Sequence, residues 1–449
     1  MLKVNIGVCL FVFILAFSSC TTDDLNSNYS DSLSQELENS INSKSQGKGL
    51  AFFTQPQSND FNNIPQDPNN PLSSAKVELG KFLFHEPALG NDPKITAGKY
   101  TYSCASCHHV SAGFQAGRKQ GIGEGGVGFG LNGESRFMHP DYDEETCDVQ
   151  SIKSPSVLNV AYQTNMLWNG QFGATGVNEG TQDLWYGSEA LTTNALGFEG
   201  VETQAIAGLG VHRMSINPLE IKEYERYIDL FARAFKNQPN TLSKENAGLA
   251  IAAYERTLLS NQSPFQMWLK GDAGAMDDDE KKGALLFFGK ANCVSCHTGP
   301  ALNSMAFYGL GMNDLSGEGT FNVKPEDSAH LGRGGFTQNP DDNYKFKVPQ
   351  LYNLSDSPFY GHGGNFESIR EVVEYKNEGV AQNVNVPQSQ LAPNFRPLNL
   401  SEEEIDQLTA FIERALHDGN LQRYAPNNLA SEMCFPNNDL QSKIDLGCP

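Results

Sequence analysis

The sequence has few basic residues for its length, and its body contains no long hydrophobic run. Its 449 residues include 32 Lys and Arg against 53 Asp and Glu, which gives a formal net charge of −21 at pH 7. Because affinity for nucleic acid rests mainly on cationic side chains that neutralise phosphates, this balance argues against a nucleic-acid-binding protein. Nine cysteines are too few for a scaffold held together by disulfides. The hydrophobic content of 39% is that of a globular protein.

The N-terminus has the layout of an export signal. The apolar run at residues 6–17 is about twelve residues long, too short to span a bilayer comfortably. Small residues then lead to Cys20, so residues 1–19 are predicted to be a signal peptide and Cys20 an acylated lipoprotein N-terminus, although Phe17 departs from the usual leucine. An ordinary cleaved signal is the alternative. Residues 20–50, rich in Ser, Asn and Gln, are predicted to be a flexible tether, which would anchor the protein at the periplasmic side of the cell envelope.

Hydrophobic periodicity predicts a mainly α-helical body without runs of alternating strands. The clearest amphipathic stripe lies at residues 220–235. Ser401 and Glu404 form a capping box ahead of the last helix of the body. Further helices are predicted at residues 74–84, 246–259, 278–290 and 367–376, and long Gly-rich loops at residues 113–133, 169–210 and 308–335. Loops of this length are normally functional or are held by something other than their own packing, such as a large buried cofactor.

One short motif occurs twice and carries the chemistry. Cys104-Ala105-Ser106-Cys107-His108 and Cys293-Val294-Ser295-Cys296-His297 both read C-x-x-C-H, the attachment motif for c-type haem. In such a motif the two thiols bond to one porphyrin and the histidine ligates its iron. The sequence therefore predicts two covalently bound haem c groups, with His108 and His297 as iron ligands.

Other uses of paired cysteines fit less well. Zinc ribbons place their C-x-x-C pairs about 15–20 residues apart, whereas 185 residues separate Cys107 from Cys293. A thioredoxin-type redox pair needs no following histidine and is not expected twice in one chain. The predicted export also favours haem, since covalent haem attachment takes place outside the cytoplasm.

The helices around each motif divide the body into two cytochrome c-like haem domains, predicted at residues 51–272 and 273–424. Residues 425–449 lack periodicity and are predicted to be a C-terminal tail. Cys434 and Cys448 in this tail can close a local disulfide in an oxidising compartment, which would leave Cys147 unpaired. Spacing alone does not fix this pairing.

Several further segments, in the same order along the chain, resemble the bacterial di-haem cytochrome c peroxidases, the family that includes MauG-type enzymes. They are Val77–Phe84, Ser154–Asn159, Leu167–Gly170, Lys347–Pro349 and Gly361–Gly364, followed by Val372 and Val373. The resemblance spans roughly residues 72–416. It implies that the haem at His108 is the peroxidatic one, open to hydrogen peroxide, and that the haem at His297 receives electrons.

The same resemblance implies roles for three more residues. Trp168 matches a tryptophan between the two haems and is a candidate electron relay. Glu220 matches a distal glutamate that can move a proton between the two oxygens of bound peroxide, and Gln204 matches a distal glutamine that orients peroxide or water. Without the resemblance, Trp168 would be interpreted as an aromatic core residue and Glu220 as an acid in the first turn of a helix.

At the first haem, the sequence departs from the family pattern in a loop. Relatives often carry a loop histidine that blocks the peroxidatic iron until the other haem is reduced, and Glu124 takes its place here. The departure implies an iron that is open without reductive activation, unless His139 or His212 substitutes.

Two further departures concern the second haem and the domain junction. The sixth ligand in relatives, Met or Tyr, lies fourteen residues after the histidine matching His362, a position that is Lys376 here. Lys376 and Met312 are both candidates for this ligand, and a solvated surface lysine is the alternative. Lys153 replaces an asparagine that helps to bind an interdomain calcium in relatives, which argues against calcium.

These expectations describe a cytochrome-c peroxidase that reduces hydrogen peroxide to water with electrons from a small donor cytochrome or copper protein. An acidic surface suits a basic donor through steered encounter. A MauG-like oxidase acting on a protein substrate and a non-catalytic di-haem electron carrier are the alternatives. Membrane contact is expected only through the lipid anchor, and a homodimer is expected only from the resemblance.

Overall fold

Helices dominate the computed structural model, which describes residues 22–216 and 225–449. The helices in these ranges are α1 (Thr22–Lys44), α2 (Ser74–His85), α3 (Gly200–Val211), α4 (Glu225–Ala234), α5 (Lys244–Arg256), α6 (Pro264–Leu269), α7 (Asp278–Phe288), α8 (Arg333–Thr337), α9 (Ile369–Glu378), α10 (Glu402–Ala410) and α11 (Leu440–Leu446). The named strands of the described ranges form two antiparallel pairs, β1 (Gly126–Val127) with β2 (Phe137–Met138) and β3 (Phe307–Tyr308) with β4 (Phe346–Lys347). The prediction of a mainly helical chain is confirmed.

Three of the residues and segments predicted from the sequence lie outside the described residues. They are the signal peptide at residues 1–19, the acylation residue Cys20 and the distal acid Glu220. Within the described ranges, no helix combines the length and the apolar character needed to cross a membrane.

A similar helix crossing accompanies each C-x-x-C-H motif, between one helix that precedes the motif and one that follows it. Helix α2 packs against α5 in the first half of the chain, and α7 packs against α10 in the second half. At each crossing one helix contributes a glycine. A Cβ on Gly80 would overlap the carbonyl oxygen of Ala250, and a Cβ on Gly283 would overlap the carbonyl oxygen of Gln407. The capping box predicted at Ser401 is present at the start of α10.

We expect Gly283→Ala to destabilise the second half of the protein, because the added methyl group must displace backbone at the α7–α10 crossing. Overpacking of this kind costs about 1–3 kcal/mol. Urea unfolding of the purified, haem-loaded protein, followed by far-UV circular dichroism, measures the loss. Gly274→Ala is the matched control, since the nearest atom to its added Cβ is Asp272 Oδ1 at 3.6 Å. Equal stability of the two variants would contradict the crossing described here.

Each of the two helix crossings lies in a buried core of its own. Residues near the C-terminus pack in the first core, and residues near the N-terminus pack in the second. The first core runs from Leu79 to Leu258 and also takes in Leu421 and Leu429. The second runs from Phe265 to Leu416, with additional residues from near the N-terminus. The change of core therefore falls between Leu258 and Phe265, earlier than the junction predicted near residue 272.

The segment predicted as a flexible tether, residues 20–50, is instead helical over Thr22–Lys44. Leu33, Leu37 and Ile41 are buried, and the last two belong to the second core, where α1 packs against α7. A spacing of four places these three side chains on one helix face. Because the residues between them are polar, the composition of the segment does not predict a helix with a buried face.

The predicted C-terminal tail also packs onto the body. The carbonyl oxygen of Pro436 accepts hydrogen bonds from the hydroxyls of Ser103 (2.9 Å) and Ser106 (3.3 Å), at the first C-x-x-C-H motif. The tail contains α11, and Cys434 and Cys448 form a disulfide, as their placement suggested. The thiol of Cys147 is buried and unpaired.

Candidate functional site

The two C-x-x-C-H motifs have the same local structure. Each begins with one 3₁₀ turn, Cys104–Ser106 or Cys293–Ser295, in contact with the helix that precedes it. The structure records Cys104, Cys107, Cys293 and Cys296 as free thiols. Burial raises the pKa of Cys107 and of Cys293 to about 12. Neither pair forms a disulfide, so both thiols of each motif are free for covalent attachment.

The histidine of each motif is held in the form that binds a metal. The Nδ1 atom of His108 lies 3.3 Å from the carbonyl oxygen of Phe114, and that of His297 lies 3.1 Å from the carbonyl oxygens of both Leu302 and Pro349. Burial lowers the pKa of both histidines to about 4, so both rings are neutral at pH 7. A neutral imidazole that donates from Nδ1 to a carbonyl presents the lone pair of Nε2 to a metal.

The carbonyl groups behind the two histidines come from a repeated segment. Residues 153–159 and 347–353 share the pattern Lys-x-Pro-x-x-x-Asn. Pro155 hydrogen-bonds through its backbone to His108, as Pro349 does to His297. Both segments end at an asparagine in the left-handed conformation, with φ of 58° and 55°. The equivalence of the two segments is not visible from either one alone. It becomes visible when their common Lys-x-Pro-x-x-x-Asn spacing is compared.

A cavity of about 320 Å³ lies against the second motif. Cys293, Cys296 and His297 face it together with a mainly apolar wall. The wall includes Trp168, Tyr308, Phe346, Val348, Val372 and Val373. An apolar cavity with two thiols and a metal-binding imidazole fits a covalently bound porphyrin.

Both residues predicted as sixth ligands line this cavity. Lys376 lies on α9, and burial lowers the pKa of its ammonium to about 8. Its Nζ lies 5.5 Å from the ring centroid of Phe395. Met312 packs beside Gly361, where an added Cβ would lie 3.2 Å from the methionine sulfur. Both side chains therefore share the cavity with His297.

Trp168 connects the two repeated segments. Its indole Nε1 donates to the carbonyl oxygen of Lys153 at 2.8 Å, and its own carbonyl oxygen accepts from the backbone N–H of Lys347 at 2.8 Å. These are the first residues of the two Lys-x-Pro segments, whose prolines face His108 and His297. Each backbone partner of Trp168 therefore lies two residues before the proline whose backbone contacts a motif histidine.

Around the first motif, Gln204 lies on α3, inside the stretch predicted as the loop 169–210. Its side chain points along the helix toward Gly208. Helix α3 contacts α5, and Val201 and Ile206 belong to the first core. Burial of nearly the whole helix removes the amphipathic stripe by which periodicity detects helices.

Glu124 is fully buried, and both oxygens of its carboxylate have partners within the protein. Its Oε1 accepts hydrogen bonds from the backbone N–H of Lys94 (2.7 Å) and from the hydroxyl of Tyr142 (2.6 Å), while its Oε2 pairs with Arg213. With its oxygens engaged in this way, the carboxylate anchors the loop and is not presented to a ligand.

The two histidines considered as substitutes for the loop ligand differ in their surroundings. His139 is near the surface, where its Nδ1 accepts a hydrogen bond from the backbone of Asp141. His212 follows α3, its Nδ1 lies 2.8 Å from Asp148 Oδ2, and it is close enough to His108 to lower the pKa of that ring. Of the two, only His212 belongs to the surroundings of the first motif.

The chain is similar in sequence and fold to known proteins. Residues 74–274 match the family model described as di-haem cytochrome c peroxidase. A cytochrome-c peroxidase, IdrP1, of a Pseudomonas strain is 29% identical over 78% of this chain and 83% of its own length. The methylamine utilization protein MauG of Methylorubrum extorquens is 28% identical over 81% of this chain and 83% of its own length. A crystal structure of a MauG-like protein associated with microbial copper homeostasis shares the fold, with a TM-score of 0.58 and 23% identity over 82% of this chain and 96% of its own.

Proposed function

We propose that this protein is a di-haem cytochrome c peroxidase that reduces hydrogen peroxide to two molecules of water, taking up two electrons and two protons. The observation that carries the proposal is the repeated arrangement of two free thiols and a histidine whose Nδ1 faces a backbone carbonyl. His108 and His297 would hold one haem c each, attached through Cys104 with Cys107 and through Cys293 with Cys296. The bound iron would supply the redox chemistry.

The family resemblance gives the two sites different tasks. Electrons would enter at the His297 site and pass by Trp168 to the His108 site. Support for this route comes from the hydrogen bonds that tie Trp168 to both Lys-x-Pro segments. An acidic chain with a net charge of −21 favours a basic donor, a small cytochrome or copper protein.

The side of the first haem that faces peroxide would be formed by Gln204 and Glu220. Gln204 would orient the peroxide, and Glu220 would take a proton from its near oxygen and deliver it to the leaving oxygen. Since the carboxylate of Glu124 is held by Tyr142 and Arg213, we propose that no loop residue at this position blocks the iron. The enzyme would then act on peroxide without prior reduction.

We propose Lys376 as the sixth ligand of the second haem, because its charge acts on Cys293 and on His297, and because burial favours its neutral amine. Lys376→Ala is expected to change the electron paramagnetic resonance spectrum of that haem from low to high spin. Met312→Leu, the matched control in the same cavity, should leave the spectrum unchanged. The opposite pair of results would assign Met312 instead.

Outside the catalytic sites, we propose an exported protein anchored at the periplasmic side of the envelope through Cys20. The apolar run at residues 6–17 and the small residues before Cys20 support this location. Homodimerisation stays an expectation from the family resemblance.

Mixing the reduced, haem-loaded protein with peroxide and a reduced donor cytochrome tests the function. A peroxidase oxidises the donor continuously, and Glu220→Ala should slow this turnover by about 10²–10⁴-fold while both haems are retained. Oxidation of a partner protein, which the resemblance to MauG-type enzymes implies as an alternative, is the second candidate. Absence of any reaction with peroxide would leave only an electron carrier and would contradict the proposal.

A further inference from the structure

Lys153 is a buried lysine whose charge has no counterpart among the described residues. The side chain is 3% exposed, and its Nζ has no hydrogen-bond partner in the described part of the chain. The same side chain lines the cavity at the second motif. A buried ammonium without a partner is strongly unfavourable, so an anionic group at this position would stabilise it.

The backbone of Lys153 is fixed between the two halves of the protein. Its N–H donates to the carbonyl oxygen of His362 at 2.9 Å, and its carbonyl oxygen accepts from the indole of Trp168. Its Cδ lies 3.6 Å from the position that a Cβ on Gly364 would take. The side chain therefore extends from the first Lys-x-Pro segment into the second half of the protein.

Its counterpart in the repeat, Lys347, provides an internal comparison. Lys347 is also buried and crosses in the other direction, where its Nζ donates to the carbonyl oxygen of Asn165 at 2.7 Å and to Gln163. Each half thus extends one lysine into the other half. The partners of Lys347 are groups of the protein itself. For Lys153 we look for the equivalent partner in the occupant of the cavity at the second motif, which its side chain lines.

We propose that the Lys153 ammonium pairs with a propionate carboxylate of the haem held at His297 and serves as a built-in cation at the junction of the two halves. The inference rests on the proposed haem at this motif. Porphyrin propionates are the anions that such a cofactor brings into a cavity whose wall is otherwise mainly apolar. An ion pair formed there would satisfy both charges at a buried position.

The pairing has a redox consequence. Reduction adds one negative charge to the haem, and a nearby cation stabilises the reduced form electrostatically. Lys153 should therefore raise the reduction potential of the second haem. Because this effect depends on charge, it distinguishes an ion pair from a lysine that only fills space.

Potentiometric titration of the haem-loaded protein tests the proposal, with the second haem followed by its own low-spin signal. Lys153→Met keeps the aliphatic stem and removes the charge, and it should lower the reduced-to-oxidised ratio at fixed potential at least tenfold, or about 59 mV for one electron. Lys153→Arg should restore the wild-type ratio to within about threefold, a shift smaller than that 59 mV step. The control Lys119→Met removes a neighbouring cation whose Nζ binds the carbonyl oxygen of Ser316 at an exposed site, and it should change nothing.

An unchanged potential in Lys153→Met would overturn the proposal, as would an equal shift in Lys153→Met and Lys153→Arg. If Lys153→Met does not fold, Lys153→Gln, which is also neutral, must show the same tenfold shift. Failure of the underlying function has a different signature, since the wild-type protein would then carry no haem at Cys293 and Cys296.

Discussion

Replacement of both Cys104 and Cys107 by alanine is expected to leave one haem per chain and to reduce peroxide turnover to background. The two thiols would hold the haem at which peroxide would react, and His108 alone would not retain it during purification. Haem content per chain and donor oxidation by peroxide, measured on the same preparation, give both results.

Two controls separate this effect from a general loss of thiols. Cys147→Ala removes a buried, unpaired thiol whose Sγ lies 3.7 Å from the carbonyl oxygen of Glu124, and it should keep both haems and full turnover. The double replacement of Cys293 and Cys296 should also leave one haem, but the remaining site would receive electrons poorly from the donor. Full peroxide turnover without Cys104 and Cys107 would contradict the assignment of the peroxidatic site.

Trp168→Phe is expected to slow electron transfer between the two haems by at least about tenfold, which corresponds to ~1.4 kcal/mol in the barrier. Phenylalanine keeps an aromatic ring but removes the indole N–H that binds the carbonyl oxygen of Lys153. Stopped-flow absorbance of the fully reduced protein after mixing with peroxide resolves the two steps. Oxidation of the first haem should keep its rate, and oxidation of the second should become slow.

Trp185→Phe is the matched control, because Trp185 also donates a hydrogen bond from its indole, to Thr181 at 3.0 Å. It lies outside the two Lys-x-Pro segments and should leave both rates unchanged. Equal effects of the two replacements, or no effect of either, would remove Trp168 from the electron path.

Much of the fold could be predicted from local patterns. Helices α2, α7 and α10 present apolar residues at spacings of three and four beside polar ones, and the capping box at Ser401 marks a helix start without any tertiary information. Helix α1 could not be predicted in this way. It has few apolar residues, and Leu37 and Ile41 are recognised as core residues only in the folded protein, where α7 covers them.

The chemistry of the site could be predicted from the sequence, but its geometry could not. Two C-x-x-C-H motifs identify the thiols and histidines because covalent haem attachment demands that spacing. The contact between Trp168 and Lys153, and the isolation of the Lys153 ammonium, depend on residues brought together by the packing of two halves. The contacts of Glu124 could not be predicted either, since its partners Lys94, Tyr142 and Arg213 are distant in sequence.

Haem content of the purified, mature protein, measured as pyridine haemochrome per polypeptide, tests the central claim most directly. Two covalently attached haems per chain are predicted, one for each pair of free thiols. A value of one or none in protein matured by a competent c-type haem attachment system would contradict the account.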